Sequence, residues 1–299
     1  MRKNVKKQLA LRVLSTAALL AMVSSIATAA FADTYNLNTG SVTVETKDDG
    51  YTYVTQTDTK TGDFAQNSKG DTLDGYKDTD PKGVTITSGG TPTSNTITVE
   101  TAKDQTTNVT LQNVFINREG ASDSDAKAAL TVKGDGKTNI ELNGNNTLSS
   151  TGAHAGLEKT DAECSGTLTI TDDKNDDGSE KEEKDKYGYS TGGDTGTLAV
   201  VGGGNGGAGI GGASDYGNAT NITITGNADV SAAGGYYAAG IGGGEYGDAT
   251  NITISGNAKV TAAGSNSGGA GIGGGDFGTG SVLITDHADV TAYGGNQGG

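Results

Sequence analysis

Three short segments of this sequence place an acid directly before an aromatic residue: Asp215-Tyr216, Glu245-Tyr246 and Asp276-Phe277. Each follows a Gly-Ile-Gly-Gly tetrad, at Gly209, Gly240 and Gly271, and the tetrads start 31 residues apart both times. Side chains that recur at one period along a stacked chain fall into stripes. The expected result is a row of carboxylates beside a row of aromatic faces. Three carboxylates about 5 Å apart repel one another by roughly 1 kcal/mol per adjacent pair even in water. A cation between them relieves that repulsion, and calcium prefers oxygen ligands. The aromatic faces would stack on sugar rings, which repeat along a polysaccharide as rungs repeat along a solenoid. Asp215, Tyr216, Glu245, Tyr246, Asp276 and Phe277 are therefore the candidate ligand-binding set. The plainer alternative has the aromatics covering a coil corner and the acids solvated.

A second candidate is Asp173-Lys174-Asn175-Asp176-Asp177-Gly178, which matches the opening of a calcium loop. Asp173, Asn175 and Asp177 would be the metal ligands and Gly178 the turn. The twelfth position is Lys184, where a bidentate Glu belongs, and no flanking helices are expected. A solvated surface loop is the competing reading.

Catalysis finds less support. Lyases on β-helices need an Arg or Lys base beside calcium, and hydrolases need clustered Asp. Beyond the N-terminal leader the only Arg is Arg118, and the only His are His154 and His287. His287 occupies the repeat position held by Asn227 and Asn257, which makes it a turn residue. Asn108, Asn221 and Asn251 each begin an N-x-T sequon, but their position at strand heads predicts an amide ladder. The run Gly202–Gly207 is glycine-rich like a phosphate loop and lacks its Lys and helix.

The elements that must position these residues follow from the repeat. Asn221-Ile222-Thr223-Ile224 recurs as Asn251-Ile252-Thr253-Ile254 and Ser281-Val282-Leu283-Ile284, 30 residues apart each time. A third track runs Asp229-Val230-Ser231-Ala232, Lys259-Val260-Thr261-Ala262 and Asp289-Val290-Thr291-Ala292. Residues two apart on a strand share a face, so Ile222 and Ile224 point inward while Thr223 points out. Stacking such units at about 4.8 Å lays Ile on Ile and Val on Val. Glycine makes up 51 of the 299 residues, against a usual ~7%. With 2 Pro and no Gly-X-Y period the excess is not collagen, and it is too costly for a helical bundle. Corner glycines are expected to supply the positive φ values of the turns. Similar strand-like runs extend upstream, from Val42 to Val200.

The first thirty residues read as an export leader. Arg2, Lys3, Lys6, Lys7 and Arg12 precede an apolar stretch, and Ala30-Phe31-Ala32 is a small-residue cleavage site. Cleavage removes five of the 21 basic residues and none of the 36 acidic ones, leaving a net charge of −20. So acidic a chain repels phosphate backbones, which argues against nucleic acid as a partner. No later segment is apolar enough for a membrane span, so no membrane insertion is expected after cleavage. The single Cys164 excludes a disulfide scaffold. The expected organisation is a signal peptide over 1–32, an N-terminal cap and first strands over 33–83, and the solenoid over 84–299. An acidic insertion interrupts the solenoid at 172–193. An open final rung would expose strand edges, so the sequence is expected to be a fragment, or else its open end to make end-to-end contact with further protein.

Taken together, Asn108-Val-Thr-Leu-Gln-Asn-Val-Phe-Ile-Asn117, Ala129-Leu-Thr-Val-Lys-Gly134, Glu141-Leu-Asn-Gly-Asn-Asn-Thr-Leu148 and the three glycine tetrads resemble bacterial surface β-helix proteins classed as carbohydrate-binding. The resemblance covers roughly 84–299, and its motifs specify rungs. It implies binding of acidic, pectin-like polysaccharide with calcium and without cleavage. The sequence thus predicts an all-β, right-handed parallel β-helix with three short strands per rung of about thirty residues. The expected function is non-catalytic carbohydrate binding by a secreted or cell-surface protein. A structural adhesin or stalk, and less so a polysaccharide lyase, are the alternatives.

Overall fold

The protein is described by a computed structural model over residues 34–57, 76–78, 83–118, 126–162, 164–174, 181, 183–184, 190–191 and 195–295. The leader, together with Asn175 and Asp177 of the expected calcium loop, lies outside the described residues.

Among the described residues every regular element is a strand, and nearly all pair in parallel. The first sheet runs in chain order: Thr34–Asn36, Val84–Thr87, Thr106–Gln112, Lys137–Asn143, Thr167–Thr171, Ala219–Ile224, Ala249–Ile254 and Gly280–Ile284. The second comprises Phe115–Asn117, Asn145–Ser149, Thr197–Val201, Asp229–Ala233, Lys259–Ala263 and Asp289–Tyr293. The third begins with the antiparallel strands Tyr76–Asp78, Thr52–Gln56 and Val42–Thr46. It continues in parallel through Ile97–Thr101, Leu130–Lys133, Leu157–Glu158, Ile210–Gly211, Ile241–Gly242 and Ile272–Gly273. The chain visits the third, first and second sheets in turn and returns one strand further along each. That path is a parallel β-helix.

Register fixes the core. Leu168, Ile222, Ile252 and Val282 stack in the first sheet. Leu198, Val230, Val260 and Val290 stack in the second, and Ile97, Leu130, Leu157, Ile210, Ile241 and Ile272 in the third. All but the last-rung members are essentially buried. Each such side chain contributes ~1.5–3 kcal/mol over leaving it in water. In the last described rung Val282, Leu283 and Ile284 are exposed. Nearer the N-terminus the column switches chemistry. Thr46, Thr101, Thr107 and Thr138 are buried and joined by hydroxyl hydrogen bonds of 2.6–2.9 Å, which satisfy each group internally.

Glycine has a second purpose that the sequence reading missed. A Cβ at Gly244 would fall on the carbonyl oxygen of Ala213, and one at Gly275 on that of Gly244. These corners stack backbone on backbone and leave no room for a side chain. Much of the left-handed backbone expected of glycine there is carried by other residues: Asp215 (φ 57°), Tyr216 (65°), Tyr246 (59°) and Phe277 (60°).

The insertion is tied to the core by charge. Leu168, Ile170 and Asp172 alternate inward, so the Asp172 carboxylate enters the interior. There it meets Lys181 at 2.8 Å, both side chains 1% exposed. Among the described residues of the insertion, Glu183–Lys184 and Ser190–Thr191 form a small antiparallel pair.

Candidate functional site

The glycine tetrads lead from the third sheet into the first through corners that share a plan. The second and third corners, 243–248 and 274–279, have six residues; the first, 212–218, has seven. The Ser214 amide donates to Ala153 O, the Glu245 amide to Gly206 O and the Asp276 amide to Tyr237 O, at 2.7–2.9 Å. Ser214 is therefore the stacking counterpart of Glu245 and Asp276, and its hydroxyl donates to Glu245 Oε2 at 3.2 Å. Asp215 is the extra residue and swings into solvent.

The aromatic half of the expected arrangement is present. The Tyr216 and Tyr246 rings lie 5.4 Å apart, and the Tyr246 and Phe277 rings 6.2 Å apart with planes at 26°. Exposures of 71%, 38% and 89% leave the strip open to solvent. The acidic half is not a row. Asp215 is exposed, Glu245 is half-buried and Asp276 is buried, and the extra residue in the first corner puts Asp215 out of register with the Glu245–Asp276 column. The Glu245 carboxylate beside the Tyr246 hydroxyl raises that phenol's pKa above its ordinary value.

A polar ladder runs along the same corners, two residues beyond the aromatic ring in each. Asn218 Oδ1 accepts from the Asp248 amide at 2.8 Å, and Asp248 Oδ1 accepts from the amide and hydroxyl of Thr279. Those two bonds hold the Asp248 carboxyl below the usual range. The expected amide ladder is also there: Asn251 Nδ2 donates to Asn221 Oδ1 at 2.6 Å, and Asn139 Nδ2 to Asn108 Oδ1 at 2.9 Å.

Of the expected calcium loop, Asp173 is the only ligand candidate among the described residues. Its Oδ2 accepts from the Thr171 hydroxyl at 2.7 Å. It lines a groove of about 420 Å³ on the outer face of the first sheet, with Asn108, Thr110, Asn139, Glu141 and Thr171. Glu141 was not legible as special in the sequence. Burial raises its pKa to about 7, against the pull of the Lys174 and Asp173 amides, which donate to Oε1 at 2.7 and 2.9 Å. Among the described residues no three His, Cys, Asp or Glu side chains gather as a metal site.

Arg118 and His154, weighed for catalysis, have partners in the fold, as does the buried Lys159. Arg118 is buried, with its guanidinium donating to the Ser94 carbonyl. His154 Nδ1 lies 2.8 Å from Glu158 Oε2, a partner that its four-residue spacing could have suggested. Lys159 is fully buried and donates to the carbonyls of Cys164 and Thr220 at 3.0 and 2.8 Å, and burial lowers its pKa.

Comparison with protein-family models, curated proteins and solved structures returned no match.

Proposed function

We propose that the protein is an exported, non-catalytic carbohydrate-binding β-helix, and that an acidic polysaccharide lies along the corner strip. The observation that carries this reading is the exposed row Tyr216, Tyr246, Phe277, one aromatic per rung. Aromatic faces aligned with a polymer's repeat supply large contact area at low entropic cost. The backbone adds support. All three residues hold positive φ, a conformation that costs a side-chain-bearing residue roughly 1–2 kcal/mol and that Gly or Asn would accept more cheaply. Strain kept at three successive exposed positions is a pointer to function.

Calcium fits this surface only as a bridge. Each corner offers at most one or two carboxylates at differing depths, whereas calcium takes six to eight oxygen ligands. The remainder would come from carboxylates of the ligand and from water. A bridge is also what the charge requires, since a chain at −20 without its leader repels an anionic glycan.

The test is binding of polygalacturonate by the full chain in calcium and in chelator, with Tyr216→Ala, Tyr246→Ala and Phe277→Ala combined. Binding lost with chelator and with the triple variant supports the proposal. Binding that survives the triple variant overturns the strip as the site. Absence of binding at any calcium concentration favours the spacer reading, and release of unsaturated or reducing ends favours a lyase.

A further inference from the structure

A protein with one buried Cys has no means of stapling its own coils by disulfide. The corner strip offers a different chemistry. Tyr216 and Tyr246 sit on successive rungs, and the Tyr216 amide donates to the Glu245 carbonyl at 2.9 Å, which fixes one corner against the next. Their ring centroids are 5.4 Å apart and inclined at 35°, and both rings reach solvent. At that separation the two phenols are near neighbours, and coupling requires only that the side chains turn their ortho carbons toward each other. We propose that Tyr216 and Tyr246 are an oxidative cross-linking site, joined by a carbon–carbon bond into an intrachain dityrosine that staples adjacent rungs.

The chemistry balances with a peroxide and a one-electron catalyst such as a haem peroxidase. Each phenol gives up one electron and its hydroxyl proton to become a phenoxyl radical. The two radicals couple at ortho carbons, and the hydrogens on those carbons shift to the oxygens as the rings regain aromaticity. Two electrons and two protons leave the protein and reduce one hydrogen peroxide to two waters. The Glu245 carboxylate lies beside the Tyr246 hydroxyl and can take its proton as the electron leaves. The next ring along the strip is Phe277, which has no hydroxyl, so coupling along the strip stops at one pair.

Other tyrosines provide the internal comparison. Tyr236 and Tyr293 are 62% and 60% exposed, as accessible as the pair. Tyr236 has Tyr237 as its ring neighbour, at 6.1 Å and 49°. If accessibility alone governed coupling, these residues would react as well.

The experiment treats the dilute full chain with peroxidase and hydrogen peroxide and follows dityrosine fluorescence and peptide masses. The expected product is one cross-linked pair of peptides carrying Tyr216 and Tyr246, lighter by two hydrogens, in a yield independent of protein concentration. Tyr216→Phe and Tyr246→Phe should each abolish it while keeping ring size and fold, checked by unchanged circular dichroism. Tyr236→Phe should leave it intact, and the cross-linked chain should unfold at a higher temperature than the untreated one. A yield that scales with protein concentration, or a cross-link mapped to other tyrosines, overturns the assignment.

Discussion

The Ser214 hydroxyl donates to Glu245 Oε2 at 3.2 Å across 31 residues of sequence, a contact between stacked counterparts in adjacent corners. Equivalent backbone hydrogen bonds make Ser214 the first member of a column in which Glu245 and Asp276 follow, and leave Asp215 as an insertion. Of the three acids, Glu245 is the one whose carboxylate lies against the Tyr246 hydroxyl.

That contact has a spectroscopic signature. Hydrogen bonding to Glu245, then its charge, are the main causes that raise the Tyr246 phenol above its ordinary value of 10.0. Glu245→Gln removes the negative charge that opposes the phenolate, so the pKa of Tyr246 should fall back toward that value. Titration of phenolate absorbance, compared with the same change in a Tyr246→Phe background, isolates the residue. An unchanged titration in Glu245→Gln would show that the carboxylate does not face the hydroxyl.

Phe277 separates stability from binding. Its left-handed φ of 60° is a position where Asn is far less strained. Phe277→Asn relieves roughly 1–2 kcal/mol of backbone strain. It also forfeits ~0.5–1.5 kcal/mol of ring contact with Tyr246. The two nearly cancel, so unfolding free energy should move by no more than about 1 kcal/mol. If the strip binds glycan, affinity should drop by about tenfold, equivalent to 1.4 kcal/mol. A large loss of stability would show that Phe277 serves the fold instead.

The rungs were legible because burial writes itself into sequence at fixed spacing. Ile222, Ile252 and Val282 announce one column, and the glycine tetrads announce the corners. The corner's finer geometry was not legible, because one extra residue between Gly212 and Tyr216 shifts Ser214 into the place that pattern alone gives to Asp215. The role of the corner glycines was half legible. Composition shows that turns are tight, but only coordinates show that Gly244 lies against the Ala213 carbonyl. Glu141 carried no signal at all, since its burial depends on Asp173 and Lys174 thirty-two and thirty-three positions away.

The Asp172–Lys181 pair makes the insertion part of the fold. Burial raises the Asp172 pKa, while the Lys181 ammonium draws it back. Removing one partner leaves the other charge buried and unpaired, so Asp172→Ala should cost ~3–5 kcal/mol. Replacing both by apolar residues of similar size, as in Asp172→Leu with Lys181→Met, should recover most of that loss. Urea denaturation midpoints of Asp172→Leu, Lys181→Met and the double variant test this. Additive losses in the double variant would mean that the two charges do not compensate each other.

Glu141 should give the protein a pH-dependent stability in the near-neutral range. Its carboxyl is raised from 4.5 to about 7, first by burial and then by the charges of Asp173 and Asp172. Because the folded pKa lies above the unfolded one, the folded state holds a proton that the unfolded chain has released between those values. Stability from this group is thus complete below about 4.5 and is lost as pH rises through about 7. Asp172 contributes with the same sign, so the wild-type slope alone is not diagnostic. Glu141→Gln keeps the groove's shape and removes the titration, while Asp172 remains in both proteins. The difference in melting temperature between wild type and Glu141→Gln should therefore shift in favour of wild type as pH is lowered from 7 to 5. Parallel pH profiles for the two proteins would mean that Glu141 titrates as it does in the unfolded chain, and that the groove floor is wet.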